Sequence, residues 1–107
     1  MTRWTAVCGY TDLLPERGSC ALVGEQQIAI FRDFDGSLYA VANQDPYSGA
    51  YVMARGIVGS RAGEPTVASP MHKQVFSLAT GVCLDDGGTT LPTYPIRVNE
   101  GHVEVAV

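Results

Sequence analysis

The chain has 107 residues, 46% of them apolar and 17% charged, with a net charge of −4 at pH 7. The acidic balance excludes a nucleic-acid-binding protein, which needs clustered Lys and Arg. No apolar run approaches the roughly 18 residues of a membrane-spanning helix, so we expect no membrane contact. A composition of this kind is typical of a small folded protein, and we expect one domain over residues 1–107.

Short strand-forming segments follow one another along the chain. Only Thr11–Arg17 favours a helix, with Asp12 as a possible cap and Pro15 limiting it to about one turn. Asp35-Gly36 and Asn99-Glu100-Gly101 lie between apolar or alternating segments and predict hairpins. The predicted strands are, in order, Trp4–Cys8, Cys20–Gly24, Gln26–Phe31, Leu38–Ala42, Thr66–Ala68, Gln74–Leu78, Tyr94–Val98 and His102–Val107.

Many short strands separated by turn residues indicate an all-β sandwich or barrel. The segment from Gln44 to about Pro65 has no clear strand pattern. Because a loop of this length within a compact domain is usually functional, we expect it to carry a binding element.

The cysteines and the N-terminus bear on the cellular compartment. Cys8, Cys20 and Cys83 are odd in number and widely spaced, so they form neither a disulfide framework nor a C-x-x-C pair. The first ten residues lack the apolar stretch and cleavage site of a signal peptide. We therefore expect a cytoplasmic protein whose thiols are free.

The segment Ser69–Gly81 (SPMHKQVFSLATG) resembles the second ligand loop of a Rieske iron–sulfur domain, C-P-x-H-G-x-x-F-x-L-x-T-G. Serine replaces the metal-binding cysteine at Ser69, and Lys73 replaces the usual glycine. The alternative is an ordinary hairpin of an unrelated β domain with Thr80-Gly81 as its turn. The residues that match the pattern are Pro70, His72, Phe76, Leu78, Thr80 and Gly81.

Upstream, Asp45–Ala50 (DPYSGA) resembles the first ligand loop, C-P-H-x-G-A, with Asp45 for cysteine and Tyr47 for histidine. A Rieske cluster needs two thiolates on one iron and two imidazoles on the other. Of positions 45, 47, 69 and 72, only His72 keeps its ligand type. We therefore expect no cluster in this chain.

We expect no other metal either, because Asp45 and His72 would supply two ligands where a structural site normally has four. The order of the two motifs predicts both loops at one tip. Side-chain packing and hydrogen bonds should replace the cluster, with Tyr47 filling space and its hydroxyl bonding Asp45, Ser69 or His72. The lysine at position 73 suggests that the loop backbone has changed.

A finer resemblance runs through segments 45–59, 65–70 and 91–98 and extends over essentially the whole chain. The sequence is similar to the small subunit of the assimilatory, NAD(P)H-dependent nitrite reductase, a Rieske-like family without the cluster ligands. The resemblance implies a non-catalytic subunit that supports assembly or activity of a large subunit. That partner would carry FAD, iron–sulfur and sirohaem groups and reduce nitrite to ammonium in nitrate assimilation.

Two other functions stay open on the sequence. One is a degenerate Rieske-type module that docks to another oxidoreductase or oxygenase. The other is a working [2Fe–2S] ferredoxin, which the missing thiolates oppose.

The segment from Tyr51 to Arg61, together with Lys73, is the predicted contact with the large subunit. Residues 47–80 hold Arg55, Arg61 and Lys73 against Glu64 alone, although the whole chain is acidic. Tyr51, Met53 and Arg55 are of types enriched in interface cores. The alternative is that Tyr51, Val52 and Ile57 merely anchor a long loop to the core.

Overall fold

The computed structural model describes residues 3–71, 73–85 and 87–107. Within these residues the regular structure consists of strands and two 3-10 turns, so the all-β prediction is confirmed. No helix in the described ranges is long and apolar enough to cross a bilayer. The strands are β1 Trp4–Gly9, β2 Gly18–Val23, β3 Gln26–Arg32, β4 Leu38–Ala42, β5 Ile57–Arg61, β6 Glu64–Ala68, β7 Val75–Ser77, β8 Thr93–Tyr94, β9 Ile96–Asn99 and β10 His102–Ala106.

The strands form three antiparallel sheets, in the orders β1-β10-β9, β2-β3-β4-β8 and β5-β6-β7. The second sheet lies in the middle because both faces of β3 are buried. Ile28 and Ile30 pack in the core shared with β10, whereas Ala29 and Phe31 pack in the core shared with β6 and β7. An apolar run that alternates between two cores is typical of such a central strand.

Both predicted hairpins are confirmed. The Asp35-Gly36 turn joins β3 to β4, with Gly36 at φ +91° and the Asp33 N–H donating to the Ser37 carbonyl at 2.8 Å. Glu100 and Gly101 join β9 to β10, both at positive φ. The Glu100-Gly101 turn, with both residues at positive φ, is of the type that matches the twist of the strands it connects.

Three local predictions are wrong. The helix over Thr11–Arg17 is absent, and only a 3-10 turn over Tyr10–Asp12 forms nearby, where the Asp12 carboxylate accepts the Gly9 N–H at 2.9 Å. The stretch from Gln44 to Pro65 contains β5. The strand predicted over Tyr94–Val98 is two strands in two sheets, because proline interrupts it at position 95 and cannot donate a ladder hydrogen bond.

Gly81 brings the chain after β7 close to Leu91. It lies at φ +79°, and a Cβ at this position would collide with the Leu91 carbonyl. The Leu91 N–H donates to the Gly81 carbonyl at 2.7 Å, and Phe76 bridges to Cys83 across the same turn. The Thr80-Gly81 part of the motif therefore shapes the core beneath the second loop.

Candidate functional site: two ligand-type loops without thiolates

The first loop (Asp45–Ala50) and the second loop (Ser69–Gln74) share one backbone hydrogen-bond pattern. In each loop the first residue's carbonyl accepts the N–H of the fifth residue, and the first residue's N–H donates to the sixth residue's carbonyl. The distances are 2.8 and 2.8 Å in the first loop and 2.9 and 2.9 Å in the second. The fifth residue is left-handed in both, with φ +76° for Gly49 and +61° for Lys73.

Lys73 adopts the left-handed conformation that Gly49 adopts at the same position of the first loop. Left-handed φ values are disfavoured for residues with a Cβ, so the second loop keeps this conformation at some energetic cost.

The two loops meet through their first residues, as the order of the motifs predicts. Asp45 and Ser69 are 0% and 1% exposed, and the Ser69 hydroxyl donates to Asp45 Oδ2 at 2.5 Å. Each side chain also orders its own loop. The Tyr47 N–H donates to Asp45 Oδ1 at 2.9 Å, and the Met71 N–H donates to Ser69 Oγ at 3.2 Å.

The environment of Asp45 favours its charged form. Burial alone would raise the pKa of this carboxyl, but hydrogen bonds from the Ser69 hydroxyl, the Tyr47 amide and Ser48 outweigh burial and lower the pKa below its ordinary value. A buried carboxylate is tolerated when several donors satisfy its oxygens. The Asp45 carboxylate therefore accepts hydrogen bonds from both loops and holds them together.

Tyr47 covers the space beneath the loops. Its ring lies 6.1 Å from the ring of Phe76, and its hydroxyl lies 3.5 Å from the buried Cys83 Sγ as a donor. Cys83 is a contact that the sequence motif does not reveal, because it follows the second loop by nine residues. The signal that could have found it is the Thr80-Gly81 turn, which folds Cys83 back opposite Phe76.

A Rieske cluster does not fit the residues at positions 45, 47 and 69. They offer a carboxylate, a phenol and a hydroxyl where iron needs thiolates and imidazoles. Two oxygen ligands about 2.0 Å from one tetrahedral metal ion would lie about 3.3 Å apart. The Ser69 hydroxyl and the Asp45 carboxylate lie 2.5 Å apart, which is a hydrogen-bond distance and shorter than the spacing of two ligands on one metal ion. His72, the fourth position, lies outside the described residues.

The predicted contact residues are not all at the surface. Met53 is fully buried in the core with Phe76 and Leu78, so its assignment to a partner surface is wrong. Met53 is buried because of Asn43, whose role the sequence pattern did not reveal. Its carbonyl accepts the Met53 N–H at 3.0 Å and its side-chain Oδ1 accepts the Ala54 N–H at 2.8 Å, pulling this segment onto the core.

The other predicted contact residues, Tyr51, Arg55, Arg61 and Lys73, are exposed. Arg61 is engaged within the chain, since its Nη1 lies 3.1 Å from Asp85 Oδ1. Asp85 Oδ2 also accepts the Val75 N–H at 2.9 Å. Arg61 thus ties the end of β5 to the start of β7.

Two stacked cores and two joined loops, with a carboxylate and a hydroxyl where a Rieske domain has thiolates, define a Rieske-like domain. The family of the Rieske-like [2Fe-2S] domain matches residues 3–106. The NADH nitrite reductase small subunit of Escherichia coli K12 is 40% identical over 106 residues, covering 98% of each chain. A crystal structure from Mycobacterium tuberculosis, assigned as an NADH-dependent nitrite reductase small subunit, has 50% identity and a TM-score of 0.97, covering 100% of this chain and 96% of that one.

The chain belongs to the nitrite reductase small subunits of the Rieske-like family. A further relative has a different organisation. The large subunit of nitrite reductase from Klebsiella oxytoca is 39% identical over 102 residues, which are 95% of this chain and 11% of that protein. In that relative, a copy of this domain is part of the large chain.

Proposed function

We propose that this chain is the small, non-catalytic subunit of an NAD(P)H-dependent nitrite reductase, which reduces nitrite to ammonium in nitrate assimilation. It acts in the cytoplasm as one Rieske-like domain over residues 1–107. The large subunit binds NAD(P)H and nitrite and carries the FAD, iron–sulfur and sirohaem groups. The observation that carries the proposal is the hydrogen bond between Asp45 and Ser69, the two residues that stand where a Rieske domain has its ligand cysteines. The chain that contains this pair is 40% identical to a known small subunit.

The role follows from the chemistry of the two loops. Asp45, Ser69 and Tyr47 have no accessible one-electron chemistry of the kind an iron–sulfur centre provides, so the chain does not pass electrons. What the loops supply is a surface whose backbone is held by hydrogen bonds within and between the loops. The subunit therefore acts by binding, and it supports assembly or activity of the large subunit.

The Klebsiella oxytoca relative supports association with the large subunit. A domain 39% identical to this chain forms 11% of that protein, so in that organism the two parts are produced in equal amounts within one chain. Covalent linkage raises the effective concentration of a partner and is favourable where two parts work together.

Co-expression with the large subunit tests the proposal. We expect the untagged chain to co-purify with tagged large subunit at fixed stoichiometry, and nitrite-dependent NAD(P)H oxidation to be higher in the complex than with the large subunit alone. The isolated chain, purified anaerobically, should lack the visible absorption and electron paramagnetic resonance signal of a [2Fe–2S] centre. Stoichiometric iron and sulfide in the isolated chain, or no complex at all, would overturn the proposal.

A further inference from the structure

Lys73 occupies a position where the fold gains nothing from a lysine. The equivalent Gly49 adopts the same left-handed backbone without a Cβ penalty. The Lys73 side chain is exposed, and it forms no ion pair with any residue in the described ranges. Strained residues with no role in packing are concentrated at functional positions.

Exposed apolar side chains surround the loops that present Lys73. Tyr47 and Met71, within the loops, are 37% and 52% exposed. Tyr51 and Ile57 are 55% and 72% exposed and lie at the bases of the loops, where Tyr51 pairs with Gln44 and Ile57 pairs with Ala68. These four are among nine large apolar residues exposed in the described ranges, so nearly half of them gather at this end.

We propose that this end of the molecule is the surface that docks onto the large subunit, with Lys73 opposite a carboxylate of that partner. The inference rests on the proposed function. The loop surface is defined by Tyr47, Tyr51, Ile57, Met71 and Lys73. Aromatic and Met side chains beside a cation are typical of interface cores, whereas the remaining surface of this chain is predominantly acidic.

The charge of this end sets the chemistry of the partner. Arg55 lies between Tyr51 and Ile57 in the chain and is a second exposed cation of this segment. The only described acid within the loops, Asp45, is buried and bonded to Ser69. The matching surface on the large subunit is therefore an apolar patch bordered by Asp or Glu.

The loop surface revises the contact set predicted from sequence. Tyr51 and Lys73 are retained, and Arg55 is kept outside the loop surface as an exposed cation of the same segment. Arg61 is left out because Asp85 already pairs with it. Ile57 belongs to the predicted segment, whereas Tyr47 and Met71 are new members that lie in the two loops joined by Asp45 and Ser69.

The variant Lys73→Gly separates docking from folding because the two effects have opposite signs. Glycine adopts the left-handed backbone without the strain that a Cβ causes. The midpoint of thermal unfolding should therefore stay the same or rise by a few degrees. Affinity for the large subunit should fall about tenfold through loss of the charge. The matched control is Glu100→Gly, which relieves the same kind of backbone at φ +52° in the β9–β10 hairpin and should leave affinity unchanged.

A second pair of variants tests the apolar part of the surface. Met71→Ser should weaken binding severalfold, whereas Leu22→Ser, at a residue of β2 that is 71% exposed and outside the loop surface, should not. Raising the salt concentration should weaken the parent complex more than the Lys73→Gly complex, because screening acts on the charge that the variant lacks.

Isothermal titration of the large subunit with each variant distinguishes the outcomes. If the parent chain does not bind, the proposed function fails and the docking surface fails with it. If the parent binds and Lys73→Gly and Met71→Ser bind equally well, only the docking surface is overturned. If Lys73→Gly loses stability as well as affinity, the affinities of Met71→Ser and Leu22→Ser decide. The docking surface is overturned if these two variants bind equally well.

Discussion

The first loop and the second loop share two backbone hydrogen bonds and a left-handed fifth residue, yet they differ in the residue types at the ligand positions. Each loop closes its own two backbone hydrogen bonds, and each uses the side chain of its first residue to accept an N–H two residues later. Each loop is therefore held in its conformation by hydrogen bonds of its own residues. What separates the loops is the chemistry of that first residue, a carboxylate in one and a hydroxyl in the other.

The largest expected difference between the loops concerns these first residues. Asp45→Ala leaves the Ser69 hydroxyl and the Tyr47 amide without their acceptor, so we expect a loss of about 3 kcal/mol in the free energy of unfolding. Ser69→Ala removes one donor and one acceptor and should cost about 1.5 kcal/mol. Urea denaturation of both variants measures the difference.

The double variant serves as the control. If Asp45 and Ser69 are coupled through their hydrogen bond, the double variant should lose less free energy than the two single losses added together. Equal losses in the two single variants would contradict the asymmetry between the loops.

A smaller effect is expected at the left-handed position. Gly49→Ala should cost about 1 kcal/mol for the backbone alone, because open space surrounds its missing Cβ. Lys73→Ala should be nearly neutral, since a Cβ is already present there. Thermal unfolding of the two alanine variants gives the comparison, and an equal loss in both would mean that the loops are not equivalent.

The pH dependence should be the smallest effect. The pKa of Asp45 is lower in the folded chain than its ordinary value of 3.8, so its hydrogen bonds stabilise the fold fully above that value. This stabilisation is lost as the pH falls through the lower, folded pKa. The parent should therefore be more stable than Asp45→Asn by a constant amount between pH 5 and 7, and the gap should shrink below about pH 4.

The comparison with Asp45→Asn is needed because other acids titrate in the same range. Hydrogen bonds from Ser37 lower the pKa of Asp35, and the Val75 amide and Arg61 lower that of Asp85. Both acids remain in the variant. A gap that stays constant down to pH 3 would contradict the role assigned to Asp45.

Local patterns were sufficient for most of the fold. The Asp35-Gly36 hairpin and the alternation of β10 depend on residues close together in sequence, and both are confirmed. The motif order correctly placed Asp45 beside Ser69 across 24 residues of sequence. The β5 strand was missed because its exposed Gly59, Ser60 and Arg61 give no periodic apolar signal.

The errors at the site come from contacts distant in sequence. Met53 has an interface-type side chain, but Asn43 draws its segment into the core. The contact between Cys83 and the Tyr47 hydroxyl depends on the Thr80-Gly81 turn. The sequence suggests this turn but does not show how close it brings Cys83 to Tyr47. The left-handed backbone of Lys73 could not be read from the residue type, which normally avoids it.

Gly81 has a consequence for how such proteins are recognised. Its Cβ-free approach to Leu91 closes the turn beneath the second loop, and this requirement has nothing to do with iron. A Rieske signature thus mixes two kinds of residue, those that hold metal and those that shape the backbone. Selection can remove the first kind and keep the second, so a chain can keep the backbone-shaping part of a Rieske motif without the thiolates.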